Sequence, residues 1–224
     1  MQKKDGKTYL DIILHFLGQV LQSPILEWIG PILDVIKDIR QRFSIGLYEV
    51  LEFETTLELL DPKGKSATVN KRQKVRYLQD HIIAYQDQAW GDGEILVSYQ
   101  CSPGIPVDQY PLGHKTIILI SLRKEKNKGD IDEFNMQWDM KYGFIKKVES
   151  WSTVIQHKTK RLKVKIIFPK SRPPQRVTLI ESKSRKATAY GDDYKFQLPD
   201  GRWQVTLERI NPKMYEEYLL EWKW

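Results

Sequence analysis

Residues 9–45 and residues 47–224 carry two different hydrophobic periods, and that change limits the folds open to this chain more than any other feature. In the first stretch apolar residues recur every three or four positions, the repeat of one face of a helix. In the second they alternate with polar residues, the repeat of a strand with one side in a core and one in water. The sequence therefore divides into a helical leader, 1–46, and an antiparallel β domain, 47–224.

Within the leader, Leu10, Ile13, Leu14, Leu17 and Leu21 share one face. Thr8 is placed to cap the first helix, with Asp11 at the capping-box distance. Ser23-Pro24 ends that helix and starts a second, which sets Ile25, Trp28, Ile29, Ile32, Leu33, Ile36 and Phe43 on a similar stripe. A surface this apolar must be buried against something. The expected mode is protein–protein packing, with a partner or a second copy, through Leu14, Leu17, Leu21, Trp28, Ile29, Ile32 and Ile36. Stable membrane insertion is not expected: Glu27 and Asp34 interrupt the run and Ser23-Pro24 divides it. Nor is a signal peptide, because Asp11, His15 and Gln19 break the apolar stretch behind the first lysines.

From Leu47 the pattern turns to strands. Leu47, Leu51, Phe53, Leu57 and Leu59 alternate with Glu52, Glu54 and Glu58. Ala67, Val69, Val75 and Tyr77 form the inward set of a second strand, with Arg72, Lys74 and Arg76 outward. Thr116–Leu122 is apolar on both faces, as a central strand is. Turn signals at Pro62-Lys63-Gly64, Asp92-Gly93 and Asp200-Gly201 separate further segments. The spacing predicts a mainly β fold, an antiparallel sandwich or barrel of about ten strands preceded by an α-helical hairpin. Ser102–Pro106 and Tyr110-Pro111 read as a stiff surface loop.

The net charge of +7 permits attraction to anions without choosing one. Arg72, Lys74 and Arg76 on one strand and Lys163 and Lys165 on another form a candidate anion site if the strands are neighbours. The competing reading is a solvated sheet face on which these cations pair with Glu52, Glu54 and Glu58. No RNA-binding signature with clustered aromatics is present, so nucleic acid is not expected as a partner. The single cysteine, Cys101, reads as an inert thiol in a reducing, cytoplasmic setting, possible membrane association aside. His81, His114 and His157 have no metal-ligand spacing, and the acidic loop around Asp87, Trp90, Asp92 and Glu94 reads as a turn rather than a calcium site. No nucleophile, phosphate-loop or dinucleotide motif appears, so no catalytic residue and no cofactor is nominated.

In the order of its elements, a two-helix leader ahead of a basic β domain, the chain is similar to bacterial antiphage effectors in which a short helical anchor precedes a β-barrel sensing a cyclic nucleotide. That resemblance implies an anionic nucleotide as ligand and a leader acting on a membrane or oligomer. The reading of the residues themselves is a non-enzymatic interaction or assembly protein, built on a β-sandwich and assembled through its leader.

Overall fold

A computed structural model describes residues 46–224 other than His114, with Asp192 described by its backbone alone. The leader, including Leu14, Leu17, Leu21, Trp28, Ile29, Ile32 and Ile36, lies outside the described residues. Gly46–Trp224 forms one compact unit.

Alternation dictates the strands. They are β1 (Tyr48–Leu59), β2 (Ser66–Tyr77), β3 (Ile82–Trp90), β4 (Tyr99–Ser102), β5 (Ile105–Leu112), β6 (Lys115–Lys126) and β7 (Ile131–Lys141). After them come β8 (Val148–Val154), β9 (Arg161–Phe168), β10 (Arg176–Glu181), β11 (Lys186–Tyr190), β12 (Lys195–Gln197), β13 (Trp203–Ile210) and β14 (Glu217–Lys223). Three sheets result: seven strands in the order β12-β13-β9-β1-β2-β7-β4, four as β11-β10-β14-β8, and three as β3-β6-β5. The seven-stranded sheet is one layer. The two smaller sheets lie against its inner face: Tyr85 of β3 stacks on Phe134 of β7 at 4.0 Å, and Trp222 of β14 meets Phe168 of β9 edge-on at 5.5 Å. This is a two-layer arrangement whose second layer is split.

Three expectations are corrected. The described residues form fourteen strands rather than about ten. No sheet closes into a barrel, since each has two terminal strands. The pairing is not purely antiparallel, because β1 and β9 run parallel, with Phe53 opposite Leu162 and Leu57 opposite Ile166. The extra strands come from short, weakly patterned segments. The stretch read as a stiff loop is largely β5, exposed along its whole length, where the alternation carries no burial signal.

The phase of β1 is also corrected at its start. Val50 and Phe53 both face the core, at 2% and 8% exposure, while Leu47 is exposed. The register slips between Val50 and Glu52. A bulge adds one residue and flips everything before it to the opposite face. Val50 turns its backbone to the lead-in of β9, with its N–H donating to the Lys158 carbonyl at 2.8 Å and its carbonyl accepting from Lys160 at 2.9 Å. From Phe53 onward the odd-numbered residues face inward as expected, with Thr55, Leu57 and Leu59 all buried.

The turn after β1 depends on Gly64. Its φ of +69° is a left-handed conformation, and a Cβ there would run into the carbonyl of Phe144. The close approach exists because Phe144 donates its N–H to the Gly64 carbonyl at 3.1 Å. Gly113 has a similar φ of +62° with nothing within 4 Å. Gly64→Ala is therefore expected to cost about 2–4 kcal/mol in urea unfolding, and Gly113→Ala only about 1–2 kcal/mol, the conformational part alone. Equal losses at the two positions would show that the Phe144 contact contributes nothing.

Candidate functional site

The sequence-predicted cations all lie on the outer face of the seven-stranded sheet. The parallel pairing of β1 with β9 brings Arg72, Lys163 and Lys165 together around Glu54. Lys163 stands opposite Glu54 in the ladder, as Arg72 does on the other side. Glu54 accepts from Lys165 at 2.5 Å and from Arg72 at 3.4 Å. Arg72 also reaches Glu52 at 2.7 Å and Glu133 at 3.2 Å, and Lys163 reaches Glu208 at 2.6 Å. Arg76 sits further along β2 and bonds Glu49 at 3.1 Å, and Lys74 faces Glu52 and Glu133 across the ladder. The hydrogen bond from Arg72 holds the Glu52 carboxyl below its ordinary range, and that from Lys163 does the same for Glu208. Burial pushes Glu54 up, but Lys165 and Arg72 outweigh it and the net shift is downward. The positive charge of this face is thus shared with carboxylates beside it. Pairs this exposed are worth about 0–1 kcal/mol each.

The unexpected feature is on the other face of the same sheet. Alternation along β2 that turns Arg72, Lys74 and Arg76 outward turns Lys71 and Gln73 inward, between Val69 and Val75, where both are buried. In β3 the inward phase is Tyr85, Asp87 and Ala89, and Asp87 is 1% exposed. The packing of the two sheets therefore sets an ammonium against a carboxylate inside the core. Lys71 Nζ donates to Asp87 Oδ1, with side-chain exposures of 6% and 0%. Asp87 Oδ2 accepts from the Tyr99 hydroxyl at 2.9 Å, and the Tyr85 hydroxyl donates to Gln73 Oε1. The Lys71 ammonium also lies 5.6 Å from the centre of the Phe53 ring. Burial raises the Tyr99 phenol far above its ordinary value, and Asp87 adds to that shift.

Above this pair is a cavity of about 260 Å³, walled among others by Tyr48, Lys71, Gln73, Tyr85, Asp87 and His157. It opens where the split in the second layer leaves the terminal strand β3 beside β8 and the segment that follows it. Side chains bridge this seam in place of a backbone ladder. Gln88 and Gln156 exchange amide hydrogen bonds at 2.5 and 3.2 Å, and Trp90 Nε1 donates to Ser152 Oγ at 3.2 Å. Four rings run in series from the seam into the core: His157 on Tyr48 at 4.4 Å, Tyr48 on Tyr85 at 5.1 Å, and Tyr85 on Phe134 at 4.0 Å. Burial lowers the pKa of the His157 imidazole and so favours its neutral form.

Sequence reasoning placed Asp87 in an acidic turn, and it missed Lys71 and Gln73. The signal was available in β2: a lysine and a glutamine in the same phase as Ala67, Val69, Val75 and Tyr77 are polar residues assigned to a core face. The other residues singled out from sequence are scattered. His81 lies in a left-handed turn and bonds Glu125 at 2.6 Å. Asp92 pairs with Lys146 on the surface. Cys101, in β4, is half-buried and its thiol is pushed up by burial. Among the described residues no group of three or more His, Cys, Asp or Glu is placed to hold a metal ion, and no helix is long and apolar enough to cross a membrane.

No protein-family model matches the chain, and no curated protein does. Solved structures similar to it include an M1 zinc metallopeptidase from Deinococcus radiodurans, at 9% identity and a TM-score of 0.45 over 77% of this chain and 42% of that one. Another is a proposed protease from Parabacteroides distasonis, at 11% identity and a TM-score of 0.48 over 80% of this chain and 40% of that one. This chain thus spans less than half the length of these neighbours. One is described as a peptidase and the other as a proposed protease, and against that finding the reading of the chain as a non-enzymatic assembly protein built on its leader, with a nucleotide-sensing effector as its alternative, is corrected. At these scores the likeness transfers no activity.

Two predictions follow from the buried cluster. Lys71→Met strands the Asp87 carboxylate in the core and is expected to cost about 3–5 kcal/mol in urea unfolding, whereas Lys71→Met combined with Asp87→Leu costs much less. A loss below about 1 kcal/mol for the single variant would show that the pair does not hold the two sheets together. The second concerns His157, whose folded-state pKa lies below its ordinary value of 6.5. Between the two values the unfolded chain binds a proton that the folded chain does not. The contribution is therefore fully present above pH 6.5 and is lost as the pH falls toward the folded value. Melting temperatures measured from about pH 7.5 to about pH 5.5 should fall more steeply for the wild type than for His157→Gln.

Proposed function

We propose that the β unit is a small-molecule-binding domain and that its site is the cavity at the seam between β3 and the segment after β8. The observation that carries this reading is the buried cluster Lys71, Gln73, Tyr85 and Asp87, set at the wall of a space of about 260 Å³, with Asp87 held from behind by the Tyr99 hydroxyl. Binding sites are concave, mostly apolar, and furnished with a few fixed polar groups. Here aromatic rings supply the apolar surface and the polar groups are fixed by one another. A core that only needed filling would lose little with well-packed apolar residues at positions 71 and 87. Retaining a buried charge pair there is consistent with a use for it beyond stability. The volume lies just under the usual range of about 300–1,000 Å³, so the ligand is about one ring system in size. The cavity alone carries this reading; the likeness to peptidases, at TM-scores of 0.45 and 0.48, adds nothing to it.

A panel of fluorinated fragments followed by ¹⁹F NMR tests it. Ala84 lines the cavity, and Ala84→Trp places bulk there while leaving the Lys71–Asp87 pair intact. Several fragments are expected to bind the wild type with dissociation constants of about a millimolar, and to lose at least about tenfold in affinity with the folded Ala84→Trp variant. Fragments that bind both proteins alike would place recognition elsewhere on the molecule.

A further inference from the structure

We infer that the cavity selects an uncharged, planar heterocycle carrying a carboxamide, an inference that rests on the cavity being the binding site. Three features of its walls define this class.

The first is shape. His157, Tyr48 and Tyr85 place ring on ring at 4.4 and 5.1 Å along the wall, where Phe53 and Trp90 also lie, and Phe134 backs Tyr85 from the core at 4.0 Å. Walls made of flat rings favour a flat guest, which gains offset-stacked or edge-on contact along its whole face. A branched aliphatic guest of equal volume would meet the rings at few points.

The second is charge. Lys71 and Asp87 neutralise each other, and their side chains are 6% and 0% exposed. Tyr99 occupies the second oxygen of Asp87 at 2.9 Å. A charged guest would leave water for a site whose two formal charges are already committed to each other, so its desolvation would go uncompensated. A carboxylate or phosphate would have to compete with Asp87 for Lys71, and an amine would have to compete with Lys71 for Asp87. An uncharged guest disturbs neither.

The third is the edge chemistry. The seam is closed by two carboxamides in reciprocal contact, Gln88 Nε2 to Gln156 Oε1 at 2.5 Å and Gln156 Nε2 to Gln88 Oε1 at 3.2 Å. Each presents one donor and one acceptor to the other. A guest carboxamide matches that pattern and can replace either partner with no loss in the number of hydrogen bonds. Deeper in the wall, the oxygen of Gln73 is taken by Tyr85, and its NH2 group remains a donor for a guest carbonyl or ring nitrogen.

Nicotinamide and nicotinate separate these features, because they share a ring and differ in amide against carboxylate. Isothermal titration of the full chain with each at pH 8 is expected to give nicotinamide binding at least about tenfold tighter than nicotinate. Gln88→Leu combined with Gln156→Leu, whose fold is checked by its melting temperature, removes both carboxamides the guest can pair with and is expected to weaken nicotinamide by about threefold to tenfold and to leave nicotinate unchanged. Nicotinate binding as tightly as nicotinamide overturns the inferred class, as does an unaltered nicotinamide affinity in the variant lacking both Gln88 and Gln156 carboxamides. If neither compound binds at millimolar concentration, the class is likewise overturned. The cavity reading then stands or falls separately, on whether the fluorinated fragments still lose affinity with Ala84→Trp.

Discussion

A lysine faces the core from the middle of β2, and much of the inner architecture answers to it. An ammonium cannot be left unpaired in an apolar interior, so a carboxylate has to arrive from the opposing layer. Asp87 of β3 meets that need, and with it the three-stranded sheet is fixed against the seven-stranded one at a defined register. Tyr99 then satisfies the second oxygen of Asp87 at 2.9 Å, which ties in β4 at its first residue. Gln73, two residues along the same face, extends the polar row and is held by Tyr85. Purely apolar packing would tolerate sliding of one sheet over the other far better than this directional set does. Apolar burial supplies most of the driving force. The ion pair decides which arrangement of the layers that force selects.

Splitting the second layer is what leaves room for a cavity. A continuous sheet opposite β1 and β2 would leave no cavity above the Lys71–Asp87 pair. Instead β3 and β8 are terminal strands of separate sheets. Backbone ladders cannot cross the seam, and side chains do so: the Gln88–Gln156 amide pair and the Trp90–Ser152 bond. Such links are individually weaker and more adaptable than a ladder, since each can break without unzipping its neighbours. The seam is therefore the part of the fold best suited to admit a guest.

Much of this was legible in the residues. The onset of strands near Leu47 and the outward triad Arg72, Lys74 and Arg76 follow from alternation alone. The inward set Ala67, Val69, Val75 and Tyr77 is found where the pattern put it. The bulge at Val50–Glu52 was not legible, because a register slip depends on the partner strand and not on the residues that slip. The parallel pairing of β1 with β9 was also hidden. It joins positions more than a hundred residues apart, and nothing local in either strand declares the direction of its neighbour. The site itself was half visible. Lys71 and Gln73 violate the core pattern of β2, and such violations are expected at functional or strained sites. Asp87 had no comparable mark, because the strand it belongs to runs on to Trp90, past the point where apolar alternation fades.

The two faces of the seven-stranded sheet handle charge in opposite ways, and the contrast bears on which of them can discriminate between ligands. Outside, Arg72 contacts three glutamates and Glu54 contacts two cations. Water screens these contacts, and any of the partners can be exchanged for solvent or a passing ion at little cost. Selectivity from such a surface is low, because the wrong ligand loses little. Inside, a misplaced charge has neither water nor a spare counter-ion to meet it, and the penalty for a wrong guest is a large fraction of any binding energy the cavity can supply. Specificity is a difference between right and wrong partners, and it grows with the cost of the wrong one. The buried pair is small in extent beside the charged outer face, yet it is the feature that makes that cost high.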